Sequence, residues 1–123
     1  DALGLTKLVY NMNILSQNAA LAAMDYADDI LAHNIPPTLA ARQHFMDALK
    51  DVPNLTVYPS ATNFVLVRVP DGPAMVKALH DADICVRSYK AADLKNCLRI
   101  TITTDDVVRR VVAVMTEEAK KYA

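Results

Sequence analysis

Hydrophobic and polar residues alternate in two short stretches of the second half of the chain, and this alternation predicts two strands. In residues 96–103 one face is formed by Leu98, Ile100 and Ile102, and the other by Cys97, Arg99 and Thr101. The apolar face is expected to lie against a core. Residues 84–87 alternate in the same way, and a polar segment joins the two stretches. If the two strands pair antiparallel, Arg87 and Arg99 can point out of the same face of the sheet.

Apolar residues at spacings of three to four predict helices in the first half. A first helix is expected to begin after Asn13, which would cap it, and to end at Asn34. Pro36 and Pro37 would then open a second helix, in the first turn where proline is tolerated. The predicted buried stripe of the first helix is Leu15, Ala19, Ala22, Tyr26 and Ile30, and that of the second is Leu39, Arg42, Phe45, Met46 and Leu49.

The remaining elements complete an α+β pattern. Strands are expected at residues 55–58 and 63–69, the latter apolar on both faces as a central strand would be. Residues 70–73 are expected to turn, and a short helix should run from about Met75 to residues 81–83. Thr103 and Thr104 would cap a last helix, with Val108, Val111, Val112, Met115 and Ala119 on its buried side. The predicted order is ααββαββα, with helices packed on a mostly antiparallel sheet of about four strands.

Composition limits the function classes. Hydrophobic residues make up 53% of the 123 residues and the net charge is −1, so a nucleic-acid-binding function is not expected. Polar residues interrupt the apolar stretches well short of a membrane span. The three histidines lack zinc-site spacings, and two glycines are too few for a phosphate-binding loop. Cys85 and Cys97 are expected to be reduced thiols that pack as small hydrophobic residues, and they could be neighbours.

The residues alone indicate a binding function. Arg87 and Arg99 on one face would suit a carboxylate or phosphate, because a guanidinium presents planar donors to such groups. The alternative is that each arginine is only solvated, or paired with an acid such as Asp83 or Asp93. The lysines lie in polar or helical surface settings, without the desolvation that activates a Schiff-base lysine. The chain is therefore interpreted as a binding part without a catalytic part.

Four segments, taken in order, resemble one family. They are residues 10–17 (YNMNILSQ), 58–68 (YPSATNFVLVR), 84–88 (ICVRS) and 96–102 (NCLRITI). Together they resemble the C-terminal part of the fold-type I, pyridoxal-phosphate-dependent aminotransferases, and the histidinol-phosphate aminotransferase branch in particular. The resemblance runs from about Leu8 onward. It implies that residues 13–123 form the small domain, which closes over a large domain, and that residues 1–12 are a remnant of the interdomain region.

The resemblance also implies roles for residues. Arg99 matches the arginine that grips the anionic tail or carboxylate of the substrate, and Arg87 matches a second arginine that helps to hold the substrate phosphate. Asn63 is expected to be structural, holding the strand entrance through backbone hydrogen bonds. The family's cofactor-binding lysine and its neighbours would lie in the missing large domain, and the match of Lys7 to that lysine is taken as coincidental. This chain alone is therefore expected to be inactive and to hold no pyridoxal phosphate through a lysine.

Further expectations follow for the whole protein. It would be a cytoplasmic homodimer of histidine and other amino-acid biosynthesis that transfers an amino group between an amino compound and a 2-oxo acid. The first residue is Asp rather than Met, which is expected of a fragment. Two alternatives stay open. One is another fold-type I enzyme, such as an aromatic aminotransferase or a phosphothreonine decarboxylase, and the other is a free-standing amino-acid-binding regulatory module.

Overall fold

The computed structural model describes residues 12–122. The chain divides into two compact units, Asp1–His33 and Asn34–Ala123. The predicted small domain, residues 13–123, spans this division, and its assignment stays a prediction. The predicted interdomain remnant lies outside the described residues except for Met12. Among the described residues, no helix is both long and apolar enough to cross a membrane.

The first unit contains helix α1 (Ile14–Met24) and the beginning of α2 (Ala27–Leu49). The predicted cap is confirmed, because the backbone N–H of Ser16 donates to the Asn13 side chain at 2.9 Å. The predicted end at Asn34 is wrong. The chain turns at residues 25–26 instead, and α2 then continues through Pro36 and Pro37.

Two consecutive prolines inside a helix remove two backbone hydrogen bonds. The carbonyl groups of Ala32 and His33 are the ones that lose these donors, and the surrounding residues are exposed, so water can reach them. One turn later, the Thr38 hydroxyl donates to the Asn34 carbonyl at 2.9 Å. Proline is a signal for a helix boundary because of the hydrogen bonds that it removes. Here solvation of the exposed carbonyl groups offsets that loss, so the helix continues.

The predicted buried stripe of the first helix is also wrong. No residue of α1 is buried, and Leu15, Tyr26 and Ile30 are all exposed. Helical spacing identifies which residues share a face, but it does not provide the surface that would cover them.

The second unit is built on one sheet. Its strands are β1 (Thr56–Val57), β2 (Phe64–Arg68), β3 (Arg87–Ser88) and β4 (Cys97–Thr101). They lie in the order β1-β2-β4-β3, and every neighbouring pair is antiparallel. Helix α3 (Gly72–Asp81) connects β2 to β3, a 3-10 helix (Ala92–Leu94) lies between β3 and β4, and α4 (Asp105–Lys120) ends the unit. The predicted α+β class, element order and antiparallel sheet are confirmed.

One face of this sheet forms the core. Val65 and Val67 of β2 and Leu98 and Ile100 of β4 are buried, as alternation within a strand requires. The helices contribute Phe45, Leu49, Met75, Leu79, Val108, Val111 and Met115 to the same core. The predicted central position of this strand is confirmed, since β2 lies between β1 and β4. On the other face Phe64 and Leu66 are only partly buried. This second face is therefore open.

The helices of the second unit depart from prediction in detail. Ala41, Phe45 and Leu49 are the buried residues of α2, whereas the predicted Leu39 is exposed. Helix α3 begins at Gly72 rather than near Met75. Asp71 caps it, accepting a hydrogen bond from the Ala74 N–H at 2.9 Å, so the predicted turn at residues 70–73 includes the helix start.

The last helix begins where the sequence predicts, but not with the predicted hydroxyl cap. Thr104 is at the N-cap and its side chain makes no capping hydrogen bond. Val108, Val111, Met115 and Ala119 are buried as predicted, whereas Val112 is only partly buried. Glu118 is buried and was not predicted to be. Its carboxylate lies 2.5 Å from Lys121 Nζ, which compensates the buried charge.

Candidate anion-binding site

Two arginines lie opposite each other on the open face of the sheet. Strands β3 and β4 pair with Arg87 opposite Arg99 and Ser88 opposite Leu98. Residues directly opposite in an antiparallel pair project from the same face, with Cβ atoms about 4.5–5.5 Å apart. The prediction that both guanidinium groups share one face is confirmed in this register. The predicted strand at residues 84–87 is shorter and lies later in the chain, because only Arg87 and Ser88 pair with β4.

Neither of these two arginines is neutralised within the described residues. No described carboxylate forms an ion pair with Arg87 or Arg99, so the alternative pairing with Asp83 or Asp93 is wrong. Both side chains are exposed. Like charges placed directly opposite in a sheet destabilise it. A bound anion would relieve this repulsion, and each guanidinium can present two parallel donors to it.

An aromatic ring orients one member of the pair. The Arg99 guanidinium carbon lies 5.1 Å from the centre of the Phe64 ring, within the range of a cation–π interaction. Phe64 is at the start of β2, diagonal to Arg99 in the strand pairing, since Arg99 itself pairs with Leu66. The ring thereby holds the guanidinium on this face while its outer donors stay free.

A third arginine on the same face, Arg68, donates hydrogen bonds to three groups of the protein, and the sequence analysis missed it. Arg68 Nε donates to the Tyr58 hydroxyl at 3.1 Å, and its two terminal nitrogens donate to the Lys95 carbonyl at 3.2 Å and the Asp93 carbonyl at 3.1 Å. The hydrogen bond with Tyr58 raises the pKa of Arg68 above its ordinary value. Alternation with Phe64 along β2 could have placed Arg68 on this face, but not its partners, which lie 25 and 27 residues further along the chain.

The two cysteines differ in their surroundings. Both are free thiols. Cys97 is buried at the start of β4, directly opposite Arg68, so its predicted packing as a small hydrophobic residue is confirmed. Cys85 is exposed and precedes β3, so the same prediction is wrong for it. Strand β3 begins at Arg87, so Cys85 lies outside the sheet.

A cavity of about 390 Å³ lies beside the connection between β3 and β4. Gly72 and Val76 of α3 line one side, and Tyr89 and Lys95 of the connection line the other. Neither Arg87 nor Arg99 reaches its lining. The arginine pair therefore lies on the open sheet face and not in this cavity.

The described lysines do not suit a covalent cofactor. All of them are exposed, and four form ion pairs with nearby carboxylates: Lys50 with Asp47, Lys77 with Asp81, Lys120 with Glu117, and Lys121 with Glu118. A lysine that forms a Schiff base is normally activated by desolvation or by a neighbouring cation. Lys7 lies outside the described residues. No group of side chains in the described part of the chain is arranged to hold a metal ion.

Comparison with known proteins finds histidinol-phosphate aminotransferases among the proteins similar to this chain. No protein-family model matches the chain. The histidinol-phosphate aminotransferase of Ruminiclostridium cellulolyticum is 34% identical over 106 residues, which are 85% of this chain and 29% of that protein. The histidinol-phosphate aminotransferase of a Thermoanaerobacter species is 37% identical over 103 residues, 83% of this chain and 29% of that protein. Both matches cover most of this chain and a minor part of the relative.

A solved structure agrees with the sequence relatives. The histidinol-phosphate aminotransferase from Sinorhizobium meliloti, solved in complex with pyridoxal 5'-phosphate, superimposes with a TM-score of 0.65 at 30% identity. The superposition covers 85% of this chain and 29% of that one. Fold and sequence therefore agree on the same class.

The chain belongs to the pyridoxal-phosphate-dependent aminotransferases of fold type I, as the four motifs indicate. Within that class its curated relatives are histidinol-phosphate aminotransferases, and it spans 25–30% of their length.

Proposed function

We propose that this chain is the C-terminal small domain of a histidinol-phosphate aminotransferase, in which Arg87 and Arg99 hold the anionic end of the substrate. The register of β3 and β4 carries this proposal, because it sets Arg87 opposite Arg99 on one face of the sheet, and neither arginine forms an ion pair with a described carboxylate. The names of the relatives supply the substrate class, an amino compound that carries a phosphate.

The two arginines contribute binding and orientation. A phosphate bears two negative charges and three oxygens, so it can accept hydrogen bonds from both guanidinium groups at once. Each such hydrogen bond to a charged group contributes about 1.5–3 kcal/mol. Fixing the phosphate end also fixes the amine at the other end of the substrate, which accelerates reaction through proximity.

The cofactor would be held elsewhere in the enzyme. Pyridoxal phosphate supplies the chemistry that accepts and returns the amino group. Since the described lysines are exposed, and most of them are paired with carboxylates, the residues that bind it would lie outside the described part of the chain. The sheet of this chain would bind the substrate, and the large domain would hold the cofactor and carry out the amino-group transfer. The whole enzyme would be a cytoplasmic homodimer of histidine biosynthesis.

Substrate profiling of the intact enzyme tests the proposal. Histidinol phosphate with a 2-oxo acid as amino acceptor should give a kcat/KM at least about tenfold above that of phenylalanine, because a site built for a phosphate rejects substrates that leave its arginines unpaired. Preference for phenylalanine would indicate an aromatic aminotransferase instead. Release of carbon dioxide from O-phosphothreonine would indicate a decarboxylase.

The regulatory-module alternative has its own test. Such a module would bind free amino acids without any other domain. Isothermal titration of this 123-residue chain with single amino acids should show no saturable binding. Saturation at millimolar concentration or below would favour the module over the aminotransferase domain.

A further inference from the structure

Arg68 connects the end of β2 to the segment that joins the two arginine-bearing strands. This segment, residues 89–96, contains the 3-10 helix Ala92–Leu94. The guanidinium donates to the Asp93 carbonyl within that helix and to the Lys95 carbonyl just after it. Tyr58 fixes the guanidinium from the other side, through its hydroxyl. One side chain thus links β2 to the segment at two backbone points.

Strand β3 has little support of its own. Two residue pairs are all that join it to β4, and it lies at the edge of the sheet. An edge strand pairs on one side only, so a two-residue strand there has few backbone hydrogen bonds of its own. At its far end the connection is also fixed at Asn96, whose carbonyl accepts from the Val69 N–H at 2.9 Å. Before Asn96, the side chain of Arg68 adds its two hydrogen bonds to the carbonyls of residues 93 and 95.

We propose that Arg68 is a positioning residue for the arginine pair: by holding residues 93 and 95 against β2, it keeps β3 in the register that sets Arg87 opposite Arg99. The inference rests on the proposed function, because it assigns a role in the same site. In this role Arg68 acts through the backbone, since its Nε and both terminal nitrogens each donate one hydrogen bond within the protein.

A purely stabilising role makes a different prediction. If Arg68 only added to the stability of the sheet, its replacement would affect substrate binding equally whether or not Arg87 is present. If Arg68 acts through Arg87, replacing Arg68 should have little further effect on substrate binding once Arg87 is absent. The combined effect of the two replacements is then smaller than the sum of the single effects. A double-mutant cycle therefore separates the two roles.

The experiment uses the intact enzyme with histidinol phosphate as the varied substrate. Arg68→Lys keeps the charge but loses the fork that reaches both carbonyls. It should raise KM about 5- to 10-fold while kcat changes less than about twofold, an effect typical of coupled residues. In an Arg87→Ala background the same replacement should raise KM less than about twofold. Arg110→Lys is the matched control, because Arg110 also donates to a backbone carbonyl, that of Ala82 at 3.0 Å, but on α4.

Tyr58→Phe provides a second variant if Arg68→Lys does not fold. It removes one of the three hydrogen bonds and should raise KM about 2- to 3-fold, again without effect in the Arg87→Ala background. An unchanged KM in Arg68→Lys, or an equal fold-change in both backgrounds, overturns the positioning role and leaves the proposed function standing. If Arg87→Ala alone leaves KM unchanged, the proposed function fails, and this inference fails with it.

Discussion

The guanidinium of Arg99 lies above the ring of Phe64, 5.1 Å from its centre. The two residues belong to adjacent central strands of the open sheet face, β4 and β2. The ring covers one face of the guanidinium and leaves its edge, where the donors are, to a ligand. Phe64 thus limits the orientations that Arg99 can adopt before the substrate arrives.

Replacing Phe64 should therefore weaken substrate binding through Arg99. Phe64→Leu removes the aromatic face and should raise KM for histidinol phosphate about 3- to 5-fold in the intact enzyme, as expected for a partly exposed cation–π pair. Phe64→Tyr keeps the ring and should stay within about twofold of the original KM. Steady-state kinetics at saturating 2-oxo acid would measure both.

The chain offers a matched control, because Phe45 is its other phenylalanine and is fully buried in the core. Phe45→Leu should lower the thermal midpoint and leave KM nearly unchanged. Equal values of KM for Phe64→Leu and Phe64→Tyr would show that the aromatic face does not orient Arg99.

Asn96 is expected to contribute strongly to stability. It has a positive φ of 62°, and its side chain accepts a hydrogen bond from the Gly72 N–H at 3.1 Å and donates to the Pro70 carbonyl at 3.0 Å. Asn96→Ala loses both hydrogen bonds and keeps a side chain in a left-handed backbone. The free energy of unfolding should fall by about 2–4 kcal/mol, measured by urea titration of this chain.

Asn96→Gly separates the two causes, because glycine adopts a positive φ without strain. Asn96→Gly should lose only the two side-chain hydrogen bonds. Its free energy of unfolding should therefore lie between those of the original chain and Asn96→Ala. If the two variants are equally stable, backbone strain plays no part at this position.

Asp105 should give the second unit a pH-dependent stability. Hydrogen bonds from His44 Nδ1, at 2.5 Å, and from Arg109 Nε, at 2.7 Å, hold the pKa of its carboxyl below the ordinary value. The folded state therefore favours the charged form. The stabilisation should be present above the unfolded pKa, about 3.9, and be lost as the pH falls through the lower folded value.

Asp105→Asn should accordingly lower the urea midpoint of this chain near neutral pH, and this effect should disappear as the pH falls through the lowered pKa of Asp105 in the folded state. Because Asp105 is exposed, high salt should reduce the difference. Asp51→Asn is the control, since Asp51 makes no ion pair or side-chain hydrogen bond among the described residues. This account would be contradicted if the urea midpoints of Asp105→Asn and the original chain differed by the same amount at neutral and acid pH.

The two thiols should differ in reactivity. Cys85 is exposed and Cys97 is 1% exposed. A thiol must reach the reagent as a thiolate, so burial slows its modification. Titration of this folded chain with Ellman's reagent should show one fast thiol, which Cys85→Ser removes, and a second only after unfolding. Two fast thiols in the folded chain would contradict the burial of Cys97.

The sequence predicted the strands of the sheet because the alternation of apolar and polar residues within a strand is a local pattern. Alternation alone separates Leu98 and Ile100 from Arg99, and it assigns the arginine faces once the strands pair antiparallel. The pairing of β3 with β4 follows from the single connection between them, whereas β2 pairs with β4 although α3 and β3 lie between them in the chain. Alternation did not reveal the role of Arg68, because two of its partners are backbone carbonyls far along the chain, and residue types do not show where backbone carbonyls lie.

In the helical region, local sequence signals misplaced the helix boundaries. Pro36 and Pro37 are strong local signals, yet α2 continues through them because its exposed carbonyls can be solvated. The turn at residues 25–26 contains neither glycine nor proline, and Asp25 is its one residue of a turn-favouring type, so the local signal is weak. Burial of the Leu15 stripe was wrong for a related reason, since periodicity describes a face and not its neighbour.

The most direct test of the arginine site is the kinetics of Arg87→Ala and Arg99→Ala in the intact enzyme, with Arg110→Ala as a control on α4. Each of the first two should raise KM for histidinol phosphate, and Arg99→Ala should also lower kcat. The resulting loss in kcat/KM should be about 10- to 100-fold, as the removal of a charged hydrogen-bonding partner implies. The control should stay within about twofold. A kcat/KM in both variants equal to that of the control would contradict the assignment of this face as the substrate's anion site.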